Sequence, residues 1–462
     1  MRHLGESKRW RRAALGMVLA IPMVAAACTG GGGTNAVRSG PAARRTIPQP
    51  AVPGGVTVAP DSARVDLALP TFSHPTAITN PLFPVAKQRS VLMLGHVDGK
   101  PFRTEVTLLP ETLIIEWQGM SVRTAVSQYN AFLDGRIDEI AYDYYAQADD
   151  GSVWYFGEDV FDFRDGAIVV TEGTWRAGRD GEAAMIMPGH PKVGDVYRSE
   201  NAPGFVFEEV TVQSVGTTVP GPLGPVSGAM VGRELHSDGT TEDKEFAPGY
   251  GEFSTSDGKD LEALAMAVPT DALPGGMPAD VSSMTDGALA VLDAADAGAW
   301  SKATANAQTV SAAWQRYRSS GDVPTSLRAV QDANVHELTA AVRARRPGAA
   351  QTAAIQAARS GFDLQLRFRP APEVDLARMD LWAAQLVVDV NAHDLGGVGS
   401  DQFALDYVRD RVRGVLGTSD LQRVNDALGT IQIALVDEEY VAAAKAAREL
   451  RATLATATPK AS

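Results

Sequence analysis

The sequence predicts a multidomain α and β protein, with an antiparallel β meander, closed as a barrel or folded as a sandwich, followed by an all-α domain built as a duplicated helical bundle. Three observations predict it. Asp-Gly pairs recur seven times between residues 71 and 268, with β-rich runs between them. Beyond Pro269 the pattern gives way to Ala-rich segments with helical spacing. Finally, Leu327-Arg-Ala-Val330-Gln-Asp332 is echoed 94 residues later by Leu421-Gln-Arg-Val424-Asn-Asp426. With 462 residues, 45% of them apolar and 21% charged, the chain is long enough for two or more packed cores.

The first twelve residues carry Arg2, Lys8, Arg9, Arg11 and Arg12, and the uncharged run Ala13 to Ala27 follows. This basic-then-apolar layout is that of an export signal, residues 1–27. At 15 residues the run is short for a permanent span, which needs about 20. It ends in Ala25-Ala26-Ala27-Cys28-Thr29-Gly30, which resembles a lipobox, the motif at which bacterial lipoproteins are acylated on cysteine. The resemblance implies a lipid on Cys28, tethering the protein to the extracytoplasmic face of a bacterial membrane. Cys28 is the chain's one cysteine, so no intramolecular disulfide competes for it. Cleavage there removes five of 42 basic and one of 56 acidic residues, leaving 37 against 55, a net charge of −18. Such a surface disfavours nucleic acid and anionic head groups, so the membrane link falls to the acyl chains.

Residues 28–70, rich in Gly, Pro, Ser, Thr and Ala, read as a flexible tether, about 35 Å in coil reach at 5–6 Å × √n. The four glycines Gly30 to Gly33 lack the preceding strand and following Gly-Lys-Ser/Thr of a phosphate loop.

In residues 71–268 the Asp-Gly pairs mark tight hairpin turns, because both residues tolerate positive φ. The densest feature runs from Tyr142 to Phe163, with eight aromatics in 22 residues around Asp150-Gly151. Strand alternation sends these rings to both faces, so one set fills a core and the other requires a second partner, the helical domain or a ligand. Tyr145, Trp154, Tyr155 and Phe156 are the ligand-binding candidates, for an apolar, lipid or glycan molecule or an envelope protein. Glu158, Asp159 and Asp162 nearby raise a glycosidase-like acid pair.

This stretch, with its Tyr-Ala-Gln, Asp-Gly and Val153-Trp-Tyr-Phe-Gly-Glu158 elements, resembles an uncharacterised family of bacterial secreted proteins. Glu172-Gly-Thr-Trp175, Gly194-Asp-Val-Tyr-Arg198 and Phe246-Ala-Pro-Gly-Tyr-Gly251 extend the resemblance over about 170 residues. It implies fold and export but carries no catalytic residue.

A linker, residues 269–283, leads to the helical domain, 284–457, and a short disordered tail, 458–462. Each copy of the duplication supplies about four helices of roughly 15–20 residues, broken near Gly298, Pro347, Pro370, Gly396 and Gly417. Asp332 with His336 and Asp389 with His393 are each spaced i and i+4, which places both side chains on one helix face. If the two helices abut, they offer zinc, copper or iron two carboxylates and two imidazoles. His74, His96, His190 and His236 are read as structural, because no His-Glu-x-x-His or Gly-x-Ser-x-Gly accompanies them. The expected function is therefore a noncatalytic, membrane-tethered binding lipoprotein using the aromatic β domain. Metal handling by the bundle is the alternative, and an envelope hydrolase is the third reading.

Overall fold

The computed structural model describes residues 46–49, 56–171, 173–202, 206–256 and 261–457. The export signal, Cys28, Glu172, the Asp257-Gly258 pair and the tail lie outside the described residues.

The first meander comprises β1 (Ser90–Val97), β2 (Lys100–Trp117), β3 (Met120–Leu133), β4 (Arg136–Gln147), β5 (Val153–Arg164) and β6 (Ala167–Val170). Three of its hairpins close on Asp98-Gly99, Asp134-Gly135 and Asp165-Gly166, with φ near +50° at each Asp and +74° to +79° at each Gly. These are the angles that match a tight turn to right-twisted strands. Gln118-Gly119 closes the fourth in the same conformation.

Two short strands, β7 (Trp175–Arg176) and β8 (Ala184–Met187), pair with β5 along the edge that β4 leaves free. The second meander follows as β9 (Val196–Ala202), β10 (Val206–Gly221), β11 (Gly224–His236), β12 (Thr241–Ala247), β13 (Gly251–Ser256) and β14 (Leu261–Val268). β14 returns to pair with β1, giving one fourteen-stranded antiparallel sheet ordered β6-β5-β4-β3-β2-β1-β14-β13-β12-β11-β10-β9. It curls enough for Trp117, Trp154, Phe156, Tyr197 and Met230, from four strands, to share one core. No ladder joins β9 to the β5 edge among the described residues, so the sheet stays open. It is sandwich-like, and the barrel expectation is corrected.

Residues 46–49 and 56–70 of the expected tether belong to the β domain. Thr46 bridges Ala68, Arg64 bridges Val196 along the edge of β9, and Ile47 is buried. Arg64 and Asp66 form a buried ion pair of 2.6 Å, and Gln49 accepts hydrogen bonds from Arg64 and Arg198. Composition hides this, because a strip that covers an open sheet edge needs a few anchoring side chains and no alternation of its own. The 269–283 segment is likewise pinned: Asp271 accepts from Ala267 N and Tyr250 Oη, while Leu273 N donates to Arg367 O.

Eight helices complete the described chain: α1 (Ala279–Asp296), α2 (Trp300–Tyr317), α3 (Thr325–Arg343), α4 (Pro347–Gln365), α5 (Ala371–Ala392), α6 (Leu395–Val412), α7 (Thr418–Val436) and α8 (Tyr440–Thr456). α1 closes on α4 and α5 on α8, so the chain forms two four-helix units joined through α4 and α5. The repeated motif opens α3 in one unit and α7 in the other, one residue later in α7: Leu327 is buried where its mate Leu421 is half-buried, and Val424 is buried where its mate Val330 is exposed.

The helices pack on the sheet and meet its surplus aromatic face. Phe132 stacks on Trp382 at 5.4 Å between ring centres, Tyr142 packs on Tyr407, and Phe163 meets Phe403 and Tyr407. Beside these rings lies a buried charge network of Arg103, Arg378 and Arg411 with Glu105, Asp363 and Asp375. Charges inside protein are tolerated when paired in this way. The arginines overcome the penalty of burial and hold Glu105 well below the usual carboxylate range, and they lower Asp363 too.

Candidate functional site

Trp154, Tyr155 and Phe156 are buried in the sheet core. Tyr155 stacks on half-buried Tyr145 at 4.9 Å, meets Trp175 edge-on, and donates from its hydroxyl to Asp143 at 2.6 Å. Nor does Asp159 face an open sugar platform, since it takes a 2.9 Å bond from the Tyr144 hydroxyl and a 2.8 Å ion pair from Arg176.

The helical metal pairs do not converge. α3 and α5 belong to different four-helix units, each against α4. Asp332 is committed to the Trp314 indole at 2.8 Å and to a two-pronged ion pair with Arg318 at 2.7 Å, and His336 is exposed. His393 sits one residue past the end of α5 with φ +57°, so the i, i+4 alignment with Asp389 is lost. That end was not readable from spacing, because His can adopt the left-handed cap that usually marks a Gly or Asn.

Asp389 nonetheless lines a cleft of about 590 Å³ where the β3–β4 turn meets α1, α4, α5 and α6. Local sequence builds its wall. Asp394 caps α6 by accepting a 3.0 Å bond from Gly397 N, as Asp does well at a helix start. Arg136, just past the Asp134-Gly135 turn, reaches Asp394 in an ion pair. The glycines of Gly396-Gly397-Val398-Gly399 let the first turn of α6 lie against its neighbours. A Cβ on Gly397 would fall 2.3 Å from Asp389 Oδ2, and one on Gly399 would fall 2.4 Å from Gly166 O in the β5–β6 turn. Sequence reasoning treated Gly396 only as a helix break, and the run of three glycines was the available signal.

Asp401, one turn further along α6, is 2% exposed. It lies against Asp389, and Oδ2 accepts no hydrogen bond from a protein donor. Burial, reinforced by the charge of Asp389, drives Asp401 well above the usual carboxylate range, with Arg359 and Arg136 opposing. Burial also raises Asp389, while the hydrogen bonds from Arg136 and Gly397 outweigh burial and lower Asp394. The pair is thus a proton-sharing dyad beside an ionised, arginine-bound carboxylate. Asp134 and Asp296 add negative charge at the rim, and Gln351, Gln356, Gln385 and Asn391 offer amide donors and acceptors. Of the lining side chains, five are carboxylates and one is a cation, Arg136.

No described helix is long and apolar enough to cross a membrane. No family model, curated protein or solved structure matches this chain.

Proposed function

We propose that this is an exported binding protein, held at a membrane by a lipid on Cys28, that takes a small polar organic cation in the cleft between sheet and helices. One observation carries the ligand reading: the Asp401–Asp389 pair, two carboxyl groups held against each other, at the wall of a 590 Å³ cleft lined by five carboxyl groups and one cation. That volume suits a small molecule, and domain junctions are favoured places for such sites. A dyad that shares one proton keeps one negative charge in low dielectric, which a cationic group on the ligand offsets. An ammonium group satisfies both the hydrogen-bond and the charge requirement, and the rim amides suit hydroxyl or amide groups on the same molecule.

The aromatic hairpin then has a different part from the one expected of it: it sets the geometry on which the helices dock. The location at a membrane rests on the basic-apolar signal and lipobox-like run. Thr46, where the described β domain begins, lies 18 positions after Cys28. At full extension, about 3.3–3.6 Å per residue, this allows at most roughly 60 Å between lipid and domain. Native mass spectrometry on the chain, exported with its own signal and extracted in detergent, tests the proposal without choosing a ligand. A small amine-bearing adduct that Asp401→Asn abolishes supports it. A chain that carries no adduct and gives no heat on titration with spermidine or glucosamine counts against it.

A further inference from the structure

We propose that Glu234, His236 and Glu242 form a second site, in the β domain, for a first-row divalent metal cation with Zn2+ as the reference ion. Glu234 and His236 are two apart on β11, so strand alternation sends them to the same face. Glu242 on β12 is the direct cross-strand partner of Glu234, which brings its carboxylate to both. Among the described residues, this is the one group of three histidine or acidic ligand atoms lying within 4.8 Å of one another. Its residues are separate from those lining the interdomain cleft.

The surroundings are those of a ligand set. Glu208, opposite His236 on β10, holds Nδ1 at 3.3 Å, which leaves Nε2 turned toward Glu242 at 3.7 Å. A carboxylate behind an imidazole is the usual way a metal-binding histidine is oriented. The Ser199 hydroxyl donates to Glu234 Oε1 at 2.8 Å and fixes that carboxylate. Glu242 is 5% exposed, and its Oε1 is buried without a hydrogen-bond partner, 3.6 Å from Lys244 Nζ. Lys244 lies 2.8 Å from Glu234 Oε2 and supplies the positive charge that a metal would replace. One nitrogen and two carboxylate donors suit zinc and its neighbours, whereas magnesium and calcium favour oxygen alone. The sequence carried the signal as Glu234-Leu-His236 and Glu242 flanking the Asp238-Gly239 turn, a period-two pattern across a hairpin.

The test is calorimetric titration of ZnCl2 into the full chain, stripped of metal by chelator and carrying Cys28→Ser to remove its one thiol. The expected result is one Zn2+ per chain, weakened at least tenfold by His236→Gln and by Glu242→Gln and unchanged by His336→Ala. Lys244→Gln removes the competing cation and should tighten binding about tenfold, a gain that misfolding cannot imitate. Absence of Zn2+ binding to the parent chain overturns the proposal. So does binding that ignores His236→Gln and Glu242→Gln in chains with a parental circular dichroism spectrum, or a Lys244→Gln chain with no gain.

Discussion

Arg103 on β2 and Asp363 on α4 are joined by two parallel hydrogen bonds of 2.8 and 2.7 Å, linking residues 260 apart in sequence across the sheet–helix junction. Asp363 also takes a 2.7 Å bond from Arg378, and Arg411 reaches back to Glu105 at 2.6 Å. The two domains therefore share a buried ionic seam as well as an aromatic one.

Removing one member of such a seam leaves its partners charged and buried. Asp363→Ala should lower stability by about 3–5 kcal/mol, measured as a displaced urea midpoint. The depressed carboxylates Glu105 and Asp363 add an acid dependence. Their contribution is complete above the unfolded carboxylate range and is lost as pH falls through their lowered folded values. Acid should consequently release the helices from the sheet, seen as exposure of Trp382 fluorescence below about pH 4.

At the alkaline end the sign reverses. Glu262 on β14 has a buried Oε1 without a hydrogen-bond partner, and burial, with Glu252 adding to it, pushes its pKa up to about 8. The folded state thus holds a proton that the unfolded chain gives up near pH 4.5, so this contribution is present below that pH and lost as pH rises through about 8. Glu262→Gln should raise the melting temperature at pH 9 by several degrees and change it little at pH 4. An equal shift at both values would exclude titration as the cause.

The meander was legible because Asp-Gly at positive φ is a local instruction, and the helical half because its Ala-rich spacing is helical; the repeated motif opens both α3 and α7 but falls one residue later in α7, so its positions do not share one buried phase. The aromatic hairpin was legible as two-faced, but not what would cover each face. Tyr142 and Phe163 meet helices more than 200 residues further along the chain, and period-two counting carries no such information. Asp389 was picked out for its spacing to His393 and belongs to a site for another reason: the Gly396–Gly399 turn brings Asp394 and Asp401 beside it. The polar strip that covers β9 was hidden in tether-like composition.

Trp154 is the sharpest test of the aromatic assignment. It is 1% exposed and packs against Trp117, so Trp154→Ala should cost about 3–5 kcal/mol in stability. A chain that melts normally but loses a bound ligand would return the hairpin to the role first expected of it.

Attachment has its own readout. Cys28→Ser should move the protein from the membrane fraction to the soluble extracytoplasmic fraction, with loss of acyl mass from the amino-terminal peptide. Retention in the membrane without an acyl group would require another anchor.

The central claim, that the interdomain cleft binds a small organic cation through the Asp389–Asp401 dyad, is tested most directly by native mass spectrometry of the exported chain beside its Asp401→Asn variant. The account predicts an amine-bearing adduct on the parent and none on a variant that melts at or above the parental temperature, because Asn removes a buried titratable group. An adduct retained in full by Asp401→Asn would contradict it.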